Sequence, residues 1–251
     1  MAKNTTSLYI NDTSIKLMVT RGKRITKLAD VPLDYGLSDI NTEEKEAELA
    51  SRLKQLFKSN KIKSRKIILG MSGLHCLTRP VFLPDLPRAM LDEAITREAA
   101  RVLPVPLEQL YISWQIISAS EGKINAFMVA IPRQIADTLI KVVNKAGFKP
   151  YLMDIKPLAL ARLAREDTAI IVDVQLKEFD IIVMVNRIPQ PIRTVAFPEE
   201  SLSLKEKMQI IKDELKRTIE FHNTNNPEAI IHSNSPLLVS GELADEPELY
   251  E

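Results

Sequence analysis

One pattern constrains the fold more than any other, and it occurs twice: a meander of short strands, an amphipathic helix, then a buried strand. In the first copy, Leu8–Ile10, Ser14–Thr20 and Lys23–Leu33 are β-rich pieces separated by the turn dipeptides Asn11–Asp12 and Arg21–Gly22. An Asn41…Glu44 capping box precedes Leu49, Leu53, Leu56 and Phe57, which fall on one helical face, and Lys66–Met71 reads as a buried strand. In the second copy, Ala169–Asp173, Phe179–Val185 and Arg187–Ala196 form the meander. Ser203 and Glu206 make a capping box before a stripe of Leu204, Met208, Ile211, Leu215 and Ile219, with Ala229–His232 and Leu237–Val239 as short strands. The repetition predicts a duplicated α/β arrangement rather than one doubly wound sheet.

A distinct block interrupts the first copy. His75–Leu83 reads as a strand ending at Pro84. Pro87 opens a helix that runs to Leu103 and is stopped by Pro104 and Pro106. Leu110–Ser118 alternates, with Leu110, Ile112, Trp114 and Ile116 on one face, and pairs with Lys123–Ile131 across a Glu121–Gly122 turn. The block is a small α/β insert whose helix covers one face of its sheet. The first copy then resumes with a helix carrying Ile135, Leu139, Val142, Val143 and Ala146 and stopped at Gly147. A strand, Pro150–Ile155, and a short helix, Pro157–Ala164, follow.

Composition narrows the function. Thirty-four cations against 33 acids leave a net charge of +1, which provides no overall field for nucleic acid. The single cysteine, Cys76, excludes an internal disulfide and fits a reducing compartment. The start lacks the apolar core of a secretory signal, and no apolar run approaches the ~18 residues of a membrane span. Glycine is scarce, 7 in 251 residues. Almost none stands where a backbone wrapping a phosphate needs one.

From Lys66 to Arg162 the chain resembles the PilM family of type IV pilus assembly, an actin-like family related to the cell-division protein FtsA. The segments RPVFLPDLPRAMLDEAITREAARVLPVPLEQL, ISWQII and NAFMVAIPRQIADTLIKVVNKAGFKPYLMDIKPLALARL carry the likeness. TAIIVDVQLKEFDIIVMVNRIPQPIRTVAFP resembles the family's second phosphate hairpin, and LKRTIEFHNTNNPEAIIHSNSPLLVSGELA its penultimate helix and the strand before the adenosine loop. The resemblance implies an actin-like, ribonuclease H-like duplicated α/β fold with an FtsA-type insert. Its boundaries would be 1–78 and 133–165 for the first subdomain, 79–132 for the insert, and 166–251 for a second subdomain that looks cut short. It also implies a cytoplasmic place beneath an inner-membrane platform. The partner would be a PilN-like membrane protein whose cytoplasmic N-terminal segment sits in a groove between the first subdomain and the insert. Other platform components and self-association are further expected partners.

Three loops depart from that family. Where its first phosphate loop has Asp and Gly, YINDTSIKL has Tyr9 and Asn11. The second loop keeps Asp173 but replaces Gly by Gln175. The adenosine loop keeps Gly241 and replaces the next glycine by Glu242. The family's Asp would hold a magnesium-bound water, and its glycines would let backbone close on phosphate. Losing the same chemistry in three loops argues against ATP binding and hydrolysis. The expectation is therefore a scaffold with no catalytic residue, no metal and no cofactor. The alternatives are an ATP- and magnesium-binding actin-like switch or a GspL-like secretion component. Asp173 alone reads as a solvated turn carboxylate or a cap, because one carboxylate cannot build a metal site. The insert helix and its exit supply the candidate partner-groove residues, Leu91, Ile95, Ala99, Val102, Leu103 and Val105, although core packing accounts for most of that stripe. The basic run Lys54, Lys58, Lys61, Lys63, Arg65 and Lys66 has two readings: a solvated helix end complementing the macrodipole, or a contact for acidic lipid headgroups.

Overall fold

The computed structural model describes residues 4–34, 36, 39–120 and 122–247. Glu121 of the expected hairpin turn and the last residues of the acidic tail lie outside the described residues. The chain divides into two compact units, residues 1–72 with 134–156, and residues 73–133 with 157–251.

Unit 1 is built on a five-stranded sheet. Strands β1 (Asn4–Ile10), β2 (Ser14–Arg21) and β3 (Arg24–Pro32) form an antiparallel meander, and β4 (Lys66–Met71) and β8 (Lys149–Ile155) add parallel to β1, giving the order β3-β2-β1-β4-β8. Alternation decides the faces: Thr6, Leu8 and Ile10 of β1 and Ile15, Leu17 and Val19 of β2 are buried, while the residues between them are less so. Helix α1 (Glu43–Ser59) buries Leu49, Leu53, Leu56 and Phe57, and α3 (Arg133–Lys145) buries Ala136, Leu139, Val142 and Val143. Each fully buried Leu or Phe contributes roughly 1.5–3 kcal/mol. The two helices are tied by Glu46, whose carboxylate accepts from Lys141 at 2.8 Å and Lys145 at 2.5 Å. Below them the rings of Phe57 and Phe148 stack with centroids 3.8 Å apart.

Unit 2 holds two sheets. The first has the order β5-β7-β6, from β5 (Leu77–Pro84), β6 (Leu110–Ser120) and β7 (Lys123–Pro132), all antiparallel. Helix α2 (Arg88–Val102) covers one face through Leu91, Ile95 and Ala99, which meet Val81, Leu83, Ile124, Ala126 and Met128. The second sheet has the order β11-β10-β9-β12, from β9 (Ala169–Val174), β10 (Glu178–Val185), β11 (Ile188–Ala196) and β12 (Leu237–Ser240). It repeats the topology of unit 1: a meander with β12 added parallel beside β9, as β4 lies beside β1. Every residue of β9 and β10 is buried, because α5 (Leu204–Asn225) covers one face and the short α4 (Lys156–Ala161) the other.

Several local expectations are corrected. Helix α1 is capped by Thr42, whose hydroxyl accepts from Lys45 N–H at 3.3 Å, one residue beyond the Asn41 box. His75 and Cys76 precede β5: His75 has φ 67°, and the Cys76 N–H closes a turn onto the Gly73 carbonyl. Residues Ala229–His232 form no strand. The Asn223 side chain accepts from the Ile231 N–H at 2.8 Å and donates to its carbonyl at 3.0 Å, so a side chain satisfies the backbone that a strand partner would. The Ser203–Glu206 capping box is present in both directions.

Candidate functional site

The phosphate-loop positions lie on turns whose donors are satisfied from within the chain. In the β1–β2 turn of unit 1, the Asn11 side-chain oxygen accepts from the backbone N–H groups of Thr13 at 3.0 Å and Ser14 at 2.7 Å, and from the Thr13 hydroxyl at 3.0 Å. Asn11 is buried, 3% exposed, and closes an Asx turn on itself. Tyr9, one residue before the end of β1, lies opposite Gly70 of β4; a methyl on Gly70 would stand 3.3 Å from the Tyr9 ring.

In unit 2 the β9–β10 turn is held from two sides. The Leu176 N–H donates to the Glu242 carboxylate at 3.3 Å, and the Leu176 carbonyl accepts from the Lys207 ammonium at 2.8 Å. The Leu243 N–H donates to the Val174 carbonyl at 3.1 Å, so the Gly241–Leu243 loop lies directly on the turn. Gly241 makes this approach: it has φ +109°, and an added Cβ would stand 2.2 Å from the Val174 oxygen. Asp173 is no solvated carboxylate. It is 3% exposed, and its oxygens accept from Gln175 Nε2 and from the Ser240 hydroxyl, each at 2.7 Å. Gln175 is buried beside it, and its backbone N–H is taken by the Glu178 carbonyl.

Asp173 lies opposite Asp180 on β10, and Asp180 opposite Thr194 on β11, so polar side chains cross the sheet in one row. Thr194 donates its hydroxyl to Asp180 at 2.5 Å. Burial, then the charges of Glu178 and Asp180, push the Cys76 thiol up to about 12. Among the described residues, no three His, Cys, Asp or Glu side chains group as metal ligands. His222 is 1% exposed and its Nε2 meets the Ala229 carbonyl at 2.8 Å, a structural role.

The groove in unit 2 lies beside β6 of the insert sheet. Its volume is about 480 Å³. Ser113, Trp114, Gln115, Ile116 and Ile117 of β6 and Phe127 and Val129 of β7 line one side. Leu158, Ala161 and Arg162 at α4, with Arg187, Ile188 and Pro189 at the β10–β11 turn, line the other. Strand β6 is an edge strand with a bulge between Ile116 and Ser118. None of the residues expected from the insert helix lines this groove. Leu91, Ile95, Ala99 and Leu103 are 2%, 1%, 0% and 8% exposed in the insert's own core, and Val102 and Val105 pack against that core while partly buried. The stripe was needed to hold α2 on its sheet. The unit 2 groove is lined by five successive β6 residues, Ser113 to Ile117, by Phe127 and Val129 of β7, and by α4 and turn residues remote in sequence.

Arg187 adds a backbone feature. Asn186 and Arg187 have φ 52° and 63°, a left-handed pair in which glycine is the usual second residue. The Arg187 guanidinium donates to Asp167 at 2.7 Å, and its N–H donates to the Asp167 carbonyl.

The sequence profile of the family described as type IV pilus assembly protein PilM matches residues 8–196. No curated relative matches. Among solved structures, a chain of a PilM–PilN type IV pilus biogenesis complex is similar at TM-score 0.81 and 20% identity, covering 98% of this chain and 83% of that one. The cytoplasmic domain of EpsL, an inner-membrane component of the type II secretion system of Vibrio cholerae, is similar at TM-score 0.53 and 10% identity, over 77% of this chain and 71% of that one. A Bacteroides thetaiotaomicron protein with an actin-like ATPase fold is similar at TM-score 0.53 and 10% identity, over 99% and 86%. These likenesses establish an actin-like α/β fold, in keeping with the repeated meander-plus-parallel-strand topology of the two larger sheets. With the family profile spanning most of its length, the chain belongs to the PilM family of type IV pilus assembly proteins.

Proposed function

We propose that this protein is a non-catalytic scaffold of a type IV pilus assembly platform, cytoplasmic and held at the inner membrane through partners. Its partner is the cytoplasmic N-terminal segment of a PilN-like membrane protein. The observation that carries the non-catalytic part is the pair of self-satisfied turns. Asn11 takes the N–H groups of the first turn, and Glu242 places a carboxylate on the Leu176 N–H of the second. A phosphate would have to displace an amide oxygen from one turn and a like-charged carboxylate from the other. Asp173 is already bonded through both oxygens to its own chain, so it offers no ready position for a magnesium-bound water. These residues do not fit a magnesium nucleotide.

The groove supports the binding part. An edge strand beside apolar and polar side chains suits an extended segment that pairs with backbone and seats alternate side chains. No helix among the described residues is long and apolar enough to cross a membrane, in keeping with attachment through a partner. Titration calorimetry with the N-terminal peptide of the neighbouring PilN-like protein tests the reading. Saturable binding is expected, weakened at least about tenfold by Ser113→Arg, which fills the groove beside β6. Failure of the peptide to bind would count against the scaffold role, and saturable micromolar binding of Mg-ATP would overturn the non-catalytic part.

A further inference from the structure

One end of the unit 1 sheet carries charge of a single sign. The β2–β3 turn contributes Arg21, Lys23 and Arg24, all exposed. The connection from α1 to β4 brings Lys61, Lys63, Arg65 and Lys66, and β8 begins with Lys149, again all exposed. Strand register assembles them. Arg21 pairs with Arg24 and lies opposite Asn4 at the start of β1. Ser7 faces Ile68 in the parallel β1–β4 pair, which puts Lys66 level with Thr5, and Lys66 faces Lys149. Lys27 of β3 donates its ammonium to the Asn60 carbonyl, tying the hairpin to the end of α1.

The stretches that carry these cations contain no acid. There is no Asp or Glu between Asp12 and Asp30, between Glu48 and Asp85, or between Asp137 and Asp154. The eight exposed cations enter no ion pair among the described residues, whereas Lys141 and Lys145, in the last turns of α3 before Lys149, are both spent on Glu46. A protein of net charge +1 thus concentrates unopposed positive charge on one face. Apolar side chains stand among the cations: Ile25, beside Arg24, is 61% exposed, and Tyr151, two residues past Lys149, is 58% exposed. Cations mixed with exposed aliphatic and aromatic groups suit a headgroup region, where charge is attracted and apolar tips sink below it. A single-stranded nucleic-acid surface would instead want a row of stacking aromatics, and Tyr151 is the one aromatic in this exposed set.

We propose that this end of unit 1 is a docking face for the anionic headgroups of a phospholipid bilayer. It goes beyond the scaffold reading, and it is separate from the groove, which is formed by unit 2 alone. Co-sedimentation of the full chain with vesicles tests it, comparing phosphatidylcholine alone with equal parts phosphatidylcholine and phosphatidylglycerol. The chain is expected to sediment with the anionic vesicles only and to be released as salt rises. The triple variant Arg24→Gln, Lys61→Gln, Arg65→Gln is expected to lose about a hundredfold in partitioning, from the usual worth of each cation at an anionic surface. Lys123→Gln, Lys205→Gln, Lys212→Gln removes the same charge from unit 2 and is expected to change nothing. Should the first triple melt early, Lys23→Gln with Lys63→Gln, both on exposed connections, is expected to give about a thirtyfold loss on a folded protein. Equal sedimentation with both vesicle types, equal loss in the unit 2 control, or tighter binding to a single-stranded oligonucleotide at the same ionic strength would each overturn the proposal.

Discussion

Gly241 shows how much one backbone position can decide. Its φ of +109° and the 2.2 Å gap from a virtual Cβ to the Val174 oxygen leave no room for a side chain, and the obstructing atoms are backbone that cannot rotate away. Gly241→Ala is expected to cost about 3 kcal/mol or more, read by urea denaturation, by lifting the Glu242–Leu243 loop off the β9–β10 turn. Retention of this glycine is legible in the sequence; its contact with a turn 67 positions earlier is not. Cys76 behaves the same way. Its residue type says little, but burial beside Glu178 and Asp180 holds the thiol protonated at neutral pH, with its titration pushed up to about 12. Iodoacetamide labelling is therefore expected to be slow in the folded protein at pH values well below that and to accelerate sharply in denaturant. Fast labelling of the native state would contradict this environment.

Elements are tied together by charge where their apolar stripes leave off. Glu46 on α1 is held below the ordinary carboxylate value of 4.5, first by its hydrogen bond to Lys141 and then by that to Lys145 on α3. A lowered carboxylate contributes its stability in full above its unfolded value, and that contribution is lost as pH falls through the folded one. Wild type is expected to melt above Glu46→Gln at neutral pH, with the gap closing as pH drops below about 4.5; thermal melts of both proteins across that range check it. The α5 cap is the simpler case: Ser203→Ala removes the hydroxyl that accepts from the Glu206 N–H and is expected to cost about 1 kcal/mol. At this scale the sequence was most readable where period and cap coincide, as in α5. It failed where a side chain replaced a strand partner, as Asn223 does for Ile231, because such a bond has no periodic signature.

For the whole molecule, the scaffold reading makes nucleotide irrelevant to both folding and partner capture. A ligand present at a hundredfold its Kd adds about 2.7 kcal/mol to stability. Mg-ATP is therefore expected to leave the melting temperature unchanged and to leave the affinity for a PilN-like peptide the same; a rise in either would restore an ATP-dependent switch. The sequence by itself determined the duplicated α/β plan, the insert between the halves of the first copy and the absence of glycine at Asn11, Gln175 and Glu242. Periodicity, capping and backbone permissiveness are local properties, written within a few residues. Only the tertiary structure decided that Asn11 and Glu242 occupy the turn donors, that the α2 stripe is consumed by its own sheet, and that a groove opens beside β6. It also decided that cations from three separate stretches meet at one sheet end. Each of these depends on which distant segments strand register and packing bring together, and a local pattern carries no record of that.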